Sequence, residues 1–335
     1  MRRVGEERGT TLADVGEDEL LAMVFPILAA ARDAASDGGS AIVIGPGDDA
    51  AVLALAASGG EARLVATTDA VVRGRDWQDS WSTAEDVGAK VAAQNLADVA
   101  AMGARPLGLL VTLVADPETR VDWVMGLAHG LASVVAAAGC AVVGGDLSSA
   151  PPGVLVVSVT ALGSLVAVEP VRRSGARSGD VVALAGSLGL AAAGWRLLEE
   201  GRAQEDSEAV ARQRRPEPPW HLGPVAAAAG ATSMIDLSDG LLRDAGRVAF
   251  ASGVLVDFAM SALAPSVQRL APLLGPEVAR ECVLAGGEEH SLLATFPSAT
   301  AVPEGFRVMG TVRDGQGVAV DGRPEPVRGW DHFGG

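Results

Sequence analysis

Cysteine and histidine are scarce in this chain, basic residues are outnumbered, and no apolar run is long. Two cysteines in 335 residues, Cys140 and Cys282, lie far apart without ligand spacing, which excludes a disulfide framework and a structural zinc site. Both are expected to be buried thiols in a reducing compartment. The four histidines, His129, His221, His290 and His332, are scattered and form no Ser-His-Asp or Cys-His constellation. They are expected to be structural. With 26 Lys and Arg against 42 Asp and Glu, the net charge of -16 argues against nucleic acid and anionic membrane as partners. The longest apolar run, Leu20 to Ala31, is too short to span a bilayer and contains Pro26. Met1 to Asp18 mixes Arg and Glu with no apolar core, unlike a signal peptide. A cytoplasmic protein is expected.

What is abundant is glycine, 42 residues, and acid set beside it. Gly45-Pro46-Gly47-Asp48-Asp49-Ala50 places two adjacent carboxylates where packing is poor and cation binding is good. Similar acids follow: Thr67-Thr68-Asp69, Asn95-Leu96-Ala97-Asp98, Gly144-Gly145-Asp146 and Asp236-Leu237-Ser238-Asp239-Gly240. If these converge, bare carboxylates at about 4 Å repel by about 4 kcal/mol per pair at an effective dielectric near 20. Hard divalent ions relieve that repulsion, and Mg²⁺ also bridges to phosphates. The pattern points to a multi-metal phosphate site.

The length suits about two domains. After a charged leader, Gly16-Glu17-Asp18-Glu19 opens a helix to about Ala35, broken or kinked at Pro26. Strands are expected at 41–44, 51–55 and 63–68, the last ending in Asp69, because α/β proteins present ligands at strand ends. A helix between Ser82 and Gly103 puts Lys90, Gln94, Asp98 and Met102 on one face, where Asp98 is either a solvated partner of Lys90 or a metal ligand. A strand at 107–114, a helix at 118–139, a strand at 141–143 running into a Gly-Gly-Asp turn, and a strand at 154–161 complete a first half ending near residue 165. The basic stretch Val171 to Asp180 is a polar linker or a triphosphate clamp. In the second half, strands are expected at 181–185, 254–258, 292–296 and 307–312, and helices at 190–199, 220–229, to Ser252 and at 276–284. Residues 200–219 read as a surface excursion. Helix capping explains one acid of Asp236 to Gly240, not both.

Seven stretches occur in one order: Gly-Asp-Asp-Ala-Ala, Thr-Thr-Asp, Gln94 to Pro106, Gly-Gly-Asp, Arg173 to Asp180, Ile235 to Leu241, and Gly286-Gly287-Glu288. Together, over residues 16–333, the chain resembles the thiamine-monophosphate kinases, within a superfamily that includes aminoimidazole ribonucleotide synthetase. The resemblance implies an α/β (α+β) fold of two domains, with 1–15 a flexible leader. The domain at 16–165 would form a dimeric β-barrel with its mate, and 166–335 would be a sandwich-like α/β domain. It implies a cytoplasmic homodimer that transfers the γ-phosphoryl group of ATP directly to thiamine monophosphate with several Mg²⁺ ions. By motif match, Asp49, Thr67, Thr68, Asp69, Asp98, Asp146, Asp236 and Asp239 would hold metal. Gly145, Asp146, Arg173 and Ser238 would contact ATP, and Glu288 the acceptor. Departures concentrate at the acceptor end: Asp76-Trp77 replaces a His-Phe pair, Glu289-His290-Ser291 replaces Asp-Tyr-Glu, and Val327 replaces an aromatic for which Trp330 could substitute. Asp76 and Trp330 are accordingly candidate acceptor contacts. Alternatives are a superfamily enzyme with another acceptor, or a catalytically silent nucleotide-binding paralogue.

Overall fold

The computed structural model describes residues 42–44, 48–55, 62–166 and 168–330, of which those from 42 to 329 belong to one compact unit. The expected leader and the helix at 16–35 lie outside the described residues, and Trp330 lies just beyond that unit.

Two mixed sheets make up the unit. The first contains β1 (Ile42–Ile44), β2 (Ala51–Leu55), β3 (Ala62–Val72), β4 (Arg105–Ala115), β5 (Ala141–Ser149) and β6 (Leu155–Val166), in the order β1-β2-β3-β6-β4-β5. All its pairings are antiparallel except β4 with β5, which are joined through helix α2 (Val121–Ala138). Helix α1 (Ala84–Ala101) covers one face. It starts at a capping box in which Thr83 accepts from the Asp86 N–H and the Asp86 carboxylate accepts from the Thr83 N–H. Val87, Val91, Leu96 and Val99 of this helix pack on Val65, Val71, Val157 and Val159 of the sheet. Helix α2 lies so close to α1 that a Cβ on Gly88 would stand 2.2 Å from the Leu127 carbonyl oxygen, and one on Gly130 2.1 Å from that of Glu85. Only glycine permits that approach, and it seals α1 into the interior.

Two strands run further than their residues suggest. β3 continues to Val72, so Asp69 lies in mid-strand opposite Val159 rather than at a strand end. β5 continues to Ser149, so Gly144-Gly145-Asp146 is strand, not turn. The cause is non-local: β6 offers twelve residues of pairing, which its neighbours β3 and β4 extend to use, and β5 in turn pairs along β4.

The second sheet has the order β13-β12-β9-β11-β7-β10-β8, formed by β7 (Val181–Ala185), β8 (Ser233–Asp236), β9 (Leu255–Phe258), β10 (Leu292–Phe296), β11 (Arg307–Arg313), β12 (Gly317–Val320) and β13 (Arg323–Glu325). Only β9 and β12 pair in parallel. Helices α3 (Leu190–Glu199), α4 (Ser207–Arg214), α5 (Leu222–Ala228), α6 (Leu241–Ser252), α7 (Met260–Leu274) and α8 (Pro276–Ala285) accompany it. The excursion at 200–219 thus contains a helix, α4, whose N-cap Asp206 accepts from the Glu208 and Ala209 N–H groups. Helix α7 forms despite Pro265 and Pro272 within it, because Leu263 and Leu270 are fully buried in the core of this half. Tertiary burial overrides local propensity here.

Candidate active site

Strand alternation decides which acids can meet. Val65, Thr67, Asp69 and Val71 share the face of β3 that α1 covers, and Val65 and Val71 are core residues there. On α1, Asn95 accepts from the Asp69 N–H at 3.1 Å and donates to the Val91 carbonyl at 2.8 Å, which fixes the helix against mid-strand. One turn on, the Asp98 carboxylate accepts from the Thr67 hydroxyl at 3.0 Å. Asp98 is therefore no solvated partner of Lys90. From the other half, Asp236 at the end of β8 donates its N–H to Asp49 at 3.3 Å. Asp49 also accepts from Arg173 Nε at 2.6 Å, and Asp48 accepts from the Arg173 N–H at 2.6 Å. The basic stretch is more than a linker.

Four carboxyls thus sit within each other's field. Burial pushes Asp49 up to about 7, with Asp236 adding to the shift and Arg173 opposing it. Burial, then Asp69, Asp236 and Asp49, hold Asp98 well above the ordinary range. Asp69 is raised by burial and by Asp236, against His290 and a hydrogen bond from Gln94. Burial disfavours the His290 imidazolium, yet the hydrogen bond from Nδ1 to Asp236 at 3.0 Å and the Asp236 charge hold its pKa above the usual value. Among the described residues, no three His, Cys, Asp or Glu side chains already converge as a metal-binding group. Each carboxylate is instead turned to a protein donor: Arg173, Gln94, Thr67 or His290. The donor set nonetheless fits a hard divalent cation, since four close acids, with burial raising the pKa of Asp49, Asp69 and Asp98, gain most from positive charge and offer only oxygen.

The remaining expected residues fall elsewhere. In the sheet registers, Asp69 lies beside Val159, Val111 and Gly145, whereas Thr68 aligns with Thr160, Leu110 and Gly144, and Asp146 with Thr112 and Ser158. Successive residues alternate faces, so Thr68 and Asp146 occupy the face opposite Asp69, with Asp146 about 14 Å away by three strand spacings. The Thr68 hydroxyl donates to the Val159 carbonyl at 2.9 Å, and Ser148 donates to Asp146 at 2.8 Å. Gly145 has no room for a side chain, since a Cβ would stand 2.0 Å from the Val111 carbonyl oxygen. Asp239 pairs with Arg247 at 2.7 Å and Arg243 at 3.6 Å. Ser238 accepts the Glu288 N–H on its carbonyl at 2.8 Å, which ties the two loops of the second half together.

At the acceptor end, Glu288 pairs with Lys90 at 2.5 Å. Asp76 accepts the Val72 N–H at 2.7 Å and so closes the turn after β3, while Trp77 is buried against Trp123. Glu289 is buried, taking the Ser187 hydroxyl at 2.5 Å and the Ala191 N–H at 2.8 Å; burial raises its pKa, against those bonds. It caps α3. Val327 covers Gly246 of α6.

Sequence reasoning missed His290, Arg247 and Asp244, and read Lys90 only as a helix-face partner. Asp244 is fully buried, accepts the Asp239 and Gly240 N–H groups at 3.0 Å each, and pairs with Arg247 at 2.8 Å. Burial and then Asp239 push its pKa up to about 8, with Arg247 opposing. The stripe Lys90-Gln94-Asp98 was the available signal for the lysine; nothing local marked the others.

Known proteins resemble this chain over most of its length. The N-terminal domain of AIR synthase related proteins matches residues 47–165, and the C-terminal domain of the same proteins matches residues 177–321. The thiamine-monophosphate kinase of Mycobacterium tuberculosis strain H37Rv is 43% identical over 298 residues, covering 88% of this chain and 86% of that protein. That of Corynebacterium glutamicum is 38% identical over 341 residues, covering 97% and 96%. Among solved structures, AaThiL complexed with AMPPCP and TMP superposes with a TM-score of 0.83 at 28% identity, covering 97% of this chain and 99% of that one. The hydrogenase maturation protein HypE, at 16% identity and a TM-score of 0.63, shares the fold.

Proposed function

The chain belongs to the thiamine-monophosphate kinases among the AIR synthase related proteins, and we propose that its carboxylate cluster is where it phosphorylates thiamine monophosphate with ATP. The observation that carries the assignment to this site is the meeting of Asp49, Asp69, Asp98 and Asp236, from both halves of the chain, around the Asp49–Arg173 ion pair.

The reaction joins two anions. An oxygen of the acceptor phosphate attacks the γ-phosphorus of ATP, the bond from that phosphorus to the β,γ-bridging oxygen breaks, and ADP leaves with the electron pair. No protein nucleophile is required, and catalysis is a matter of alignment and charge neutralisation. Asp49, Asp69, Asp98 and Asp236, with the Thr67 hydroxyl, would hold Mg²⁺. When bound, the metal supplies positive charge to the phosphates. Arg173 stands at the Asp49 end of the cluster with a bidentate guanidinium suited to a polyphosphate. Asn95 and the α1–α2 contact keep Asp69 and Asp98 at fixed separation, so reorganisation during transfer is small.

Three departures at the acceptor end have structural explanations: Glu289 caps α3, Asp76 closes the β3 turn, and Val327 packs over Gly246. None argues for a different acceptor. The purified chain with ATP, Mg²⁺ and thiamine monophosphate is expected to release one ADP for each thiamine diphosphate formed. ADP release with another phosphate monoester and none with thiamine monophosphate would overturn the assignment; tight ATP binding without any turnover would make the protein a silent paralogue.

Thr68, Gly145 and Asp146 call for a second surface. The face of the first sheet that they occupy carries exposed Val72 and Leu110, and edge strand β5 is exposed along its whole length. We assign this face to a second copy, each contributing its first sheet to a shared barrel, with Gly145 and Asp146 meeting ATP there. Residues 16–165 and 166–335 are then the two domains, in a cytoplasmic homodimer. Helix α2 is long and apolar enough to cross a membrane by length and composition, but its Gly130 contact and its place between β4 and β5 make it a crossover helix of this fold. Sedimentation of a monomer at micromolar concentration would refute the dimer.

A further inference from the structure

Fifteen of the eighteen residues of α1 are buried, so each polar side chain on it needs a partner inside. Lys90 is 2% exposed, and its ammonium meets Glu288 Oε2 at 2.5 Å, across 198 positions of sequence. Among the described residues, Glu288 is its hydrogen-bond partner, and an ammonium has three donors to place. Two N–H groups of a buried cation therefore have no acceptor among the described residues.

The direction in which they can find one follows from the helix. Lys90, Gln94 and Asp98 recur every four residues, each about 6 Å further along the same face. Gln94 bonds the Asp69 carboxylate, and Asp98 bonds Thr67. An anion held at Asp69 and Asp98 through a cation thus comes within reach of Lys90. The facing loop is shaped for the same place. Glu288 and His290 have φ of 68° and 51°, a left-handed conformation that non-glycine residues adopt when the surroundings impose it. The loop is held there by N–H bonds from Glu288 to the Ser238 carbonyl at 2.8 Å and from His290 to that of Leu237 at 2.9 Å. His290, 4% exposed, bonds Asp236 through Nδ1, while its Nε2 is buried without a partner. The Lys90 ammonium, with spare donors, thus stands on the α1 face that meets Asp69, and its partner Glu288 lies within the field of that carboxyl. His290 belongs nearer the middle, since the Asp236 it bonds also donates its N–H to Asp49. Arg173 pairs with Asp49 and Lys90 does not, and the reaction has two phosphates to align.

We propose that Lys90 binds the phosphate of the acceptor, with Glu288 as the positioning residue that aims its ammonium; this rests on the kinase reading above. Arg173 then serves the donor and Lys90 the acceptor, and the requirement for a phosphorylated acceptor resides in Lys90.

Steady-state kinetics of Lys90→Met tests this. The KM for thiamine monophosphate is expected to rise about 10- to 100-fold, the range of one charge-assisted hydrogen bond, while the KM for ATP changes by less than about twofold. Inhibition by thiamine, which shares the rings but lacks the phosphate, should be unchanged. Lys90→Arg should recover part of the loss. Because Lys90→Met takes from Glu288 its Lys90 ion pair, the double variant Lys90→Met with Glu288→Gln is made as well; it should regain the parent melting temperature without regaining acceptor affinity. An unchanged KM for thiamine monophosphate in a folded variant overturns the proposal, as does an equal loss of thiamine inhibition or an equal rise in the KM for ATP. A parent enzyme that forms no thiamine diphosphate overturns the kinase reading itself, a result distinguishable from normal parent turnover with an indifferent Lys90→Met.

Discussion

Asp98→Asn is expected to give a protein that melts higher than the parent without metal and turns over about a thousandfold more slowly with it. The two effects have one origin. Asp98 is partly buried where α1 packs on the sheet, and that burial, with the fields of Asp69, Asp236 and Asp49, holds its pKa well above the ordinary range. The fold must either bury that charge or keep it protonated, and both cost free energy at neutral pH. Asparagine has the same shape and can still accept the Thr67 hydroxyl bond through its amide oxygen. It removes the repulsion and little else. Without metal the variant should therefore gain a few degrees in Tm, more at pH 8 than at pH 5, by scanning calorimetry in EDTA. With Mg²⁺ and both substrates, the missing charge weakens the cation site on which phosphate alignment depends. A fall in Tm would show that Asp98 serves the fold; retained turnover would show that it is not part of the site.

How much of this could be read along the chain follows from how local each feature is. Asp49, Asp69 and Asp236 were legible because each is dressed with glycine, threonine or serine within two residues, and Asp98 because it falls on the helical stripe with Lys90 and Gln94. Their meeting in one place is what Asp236 N–H to Asp49 and Thr67 to Asp98 establish. Which way Thr68 and Asp146 point was not legible. Strand parity is set by the register of β3, β6, β4 and β5, and a residue beside Asp69 or Gly145 falls on the opposite face however similar its dressing. The ends of β3 and β5 escaped for a related reason, since their partner strands, β6 for β3 and β4 for β5, decide them. His290 looked like one scattered histidine; its partner, Asp236, is 54 positions away. Asp76 and Glu289 were singled out because they differ from the family pattern, yet a backbone N–H in a turn and the end of a helix account for them.

The same cluster sets an unusual response to pH. In the absence of divalent metal, thermal stability is expected to fall as pH rises from about 4 to about 8, and Mg²⁺ should restore it at the upper end. Asp49 moves from 3.8 in the unfolded chain to about 7 in the fold, and Asp244 from 3.8 to about 8. Both shifts are upward, so between the two values the native state holds more protons than the unfolded state, and unfolding becomes easier with each step in pH. Their stabilising contribution is complete below 3.8 and is lost as pH passes 7 and 8. His290, also raised, acts in the same direction above 6.5. The lowered carboxyls Asp86 and Asp206 act in the opposite sense, but their window lies below 3.8 and leaves the neutral range to the cluster. A loss on the order of a few kcal/mol corresponds to a fall of roughly 5–10 °C in Tm between pH 5 and pH 8. Because the cation binds carboxylates and competes with protons, its stabilisation grows with pH. About 5 mM Mg²⁺ should lift Tm by several degrees at pH 8 and by less than about 2 °C at pH 5. Calorimetry at both pH values, with EDTA and with Mg²⁺, decides the matter. A Tm in EDTA that is flat or rising over this range, or a lift from Mg²⁺ equal at both ends, would mean that the acids of this cleft are not held together at the expense of the fold.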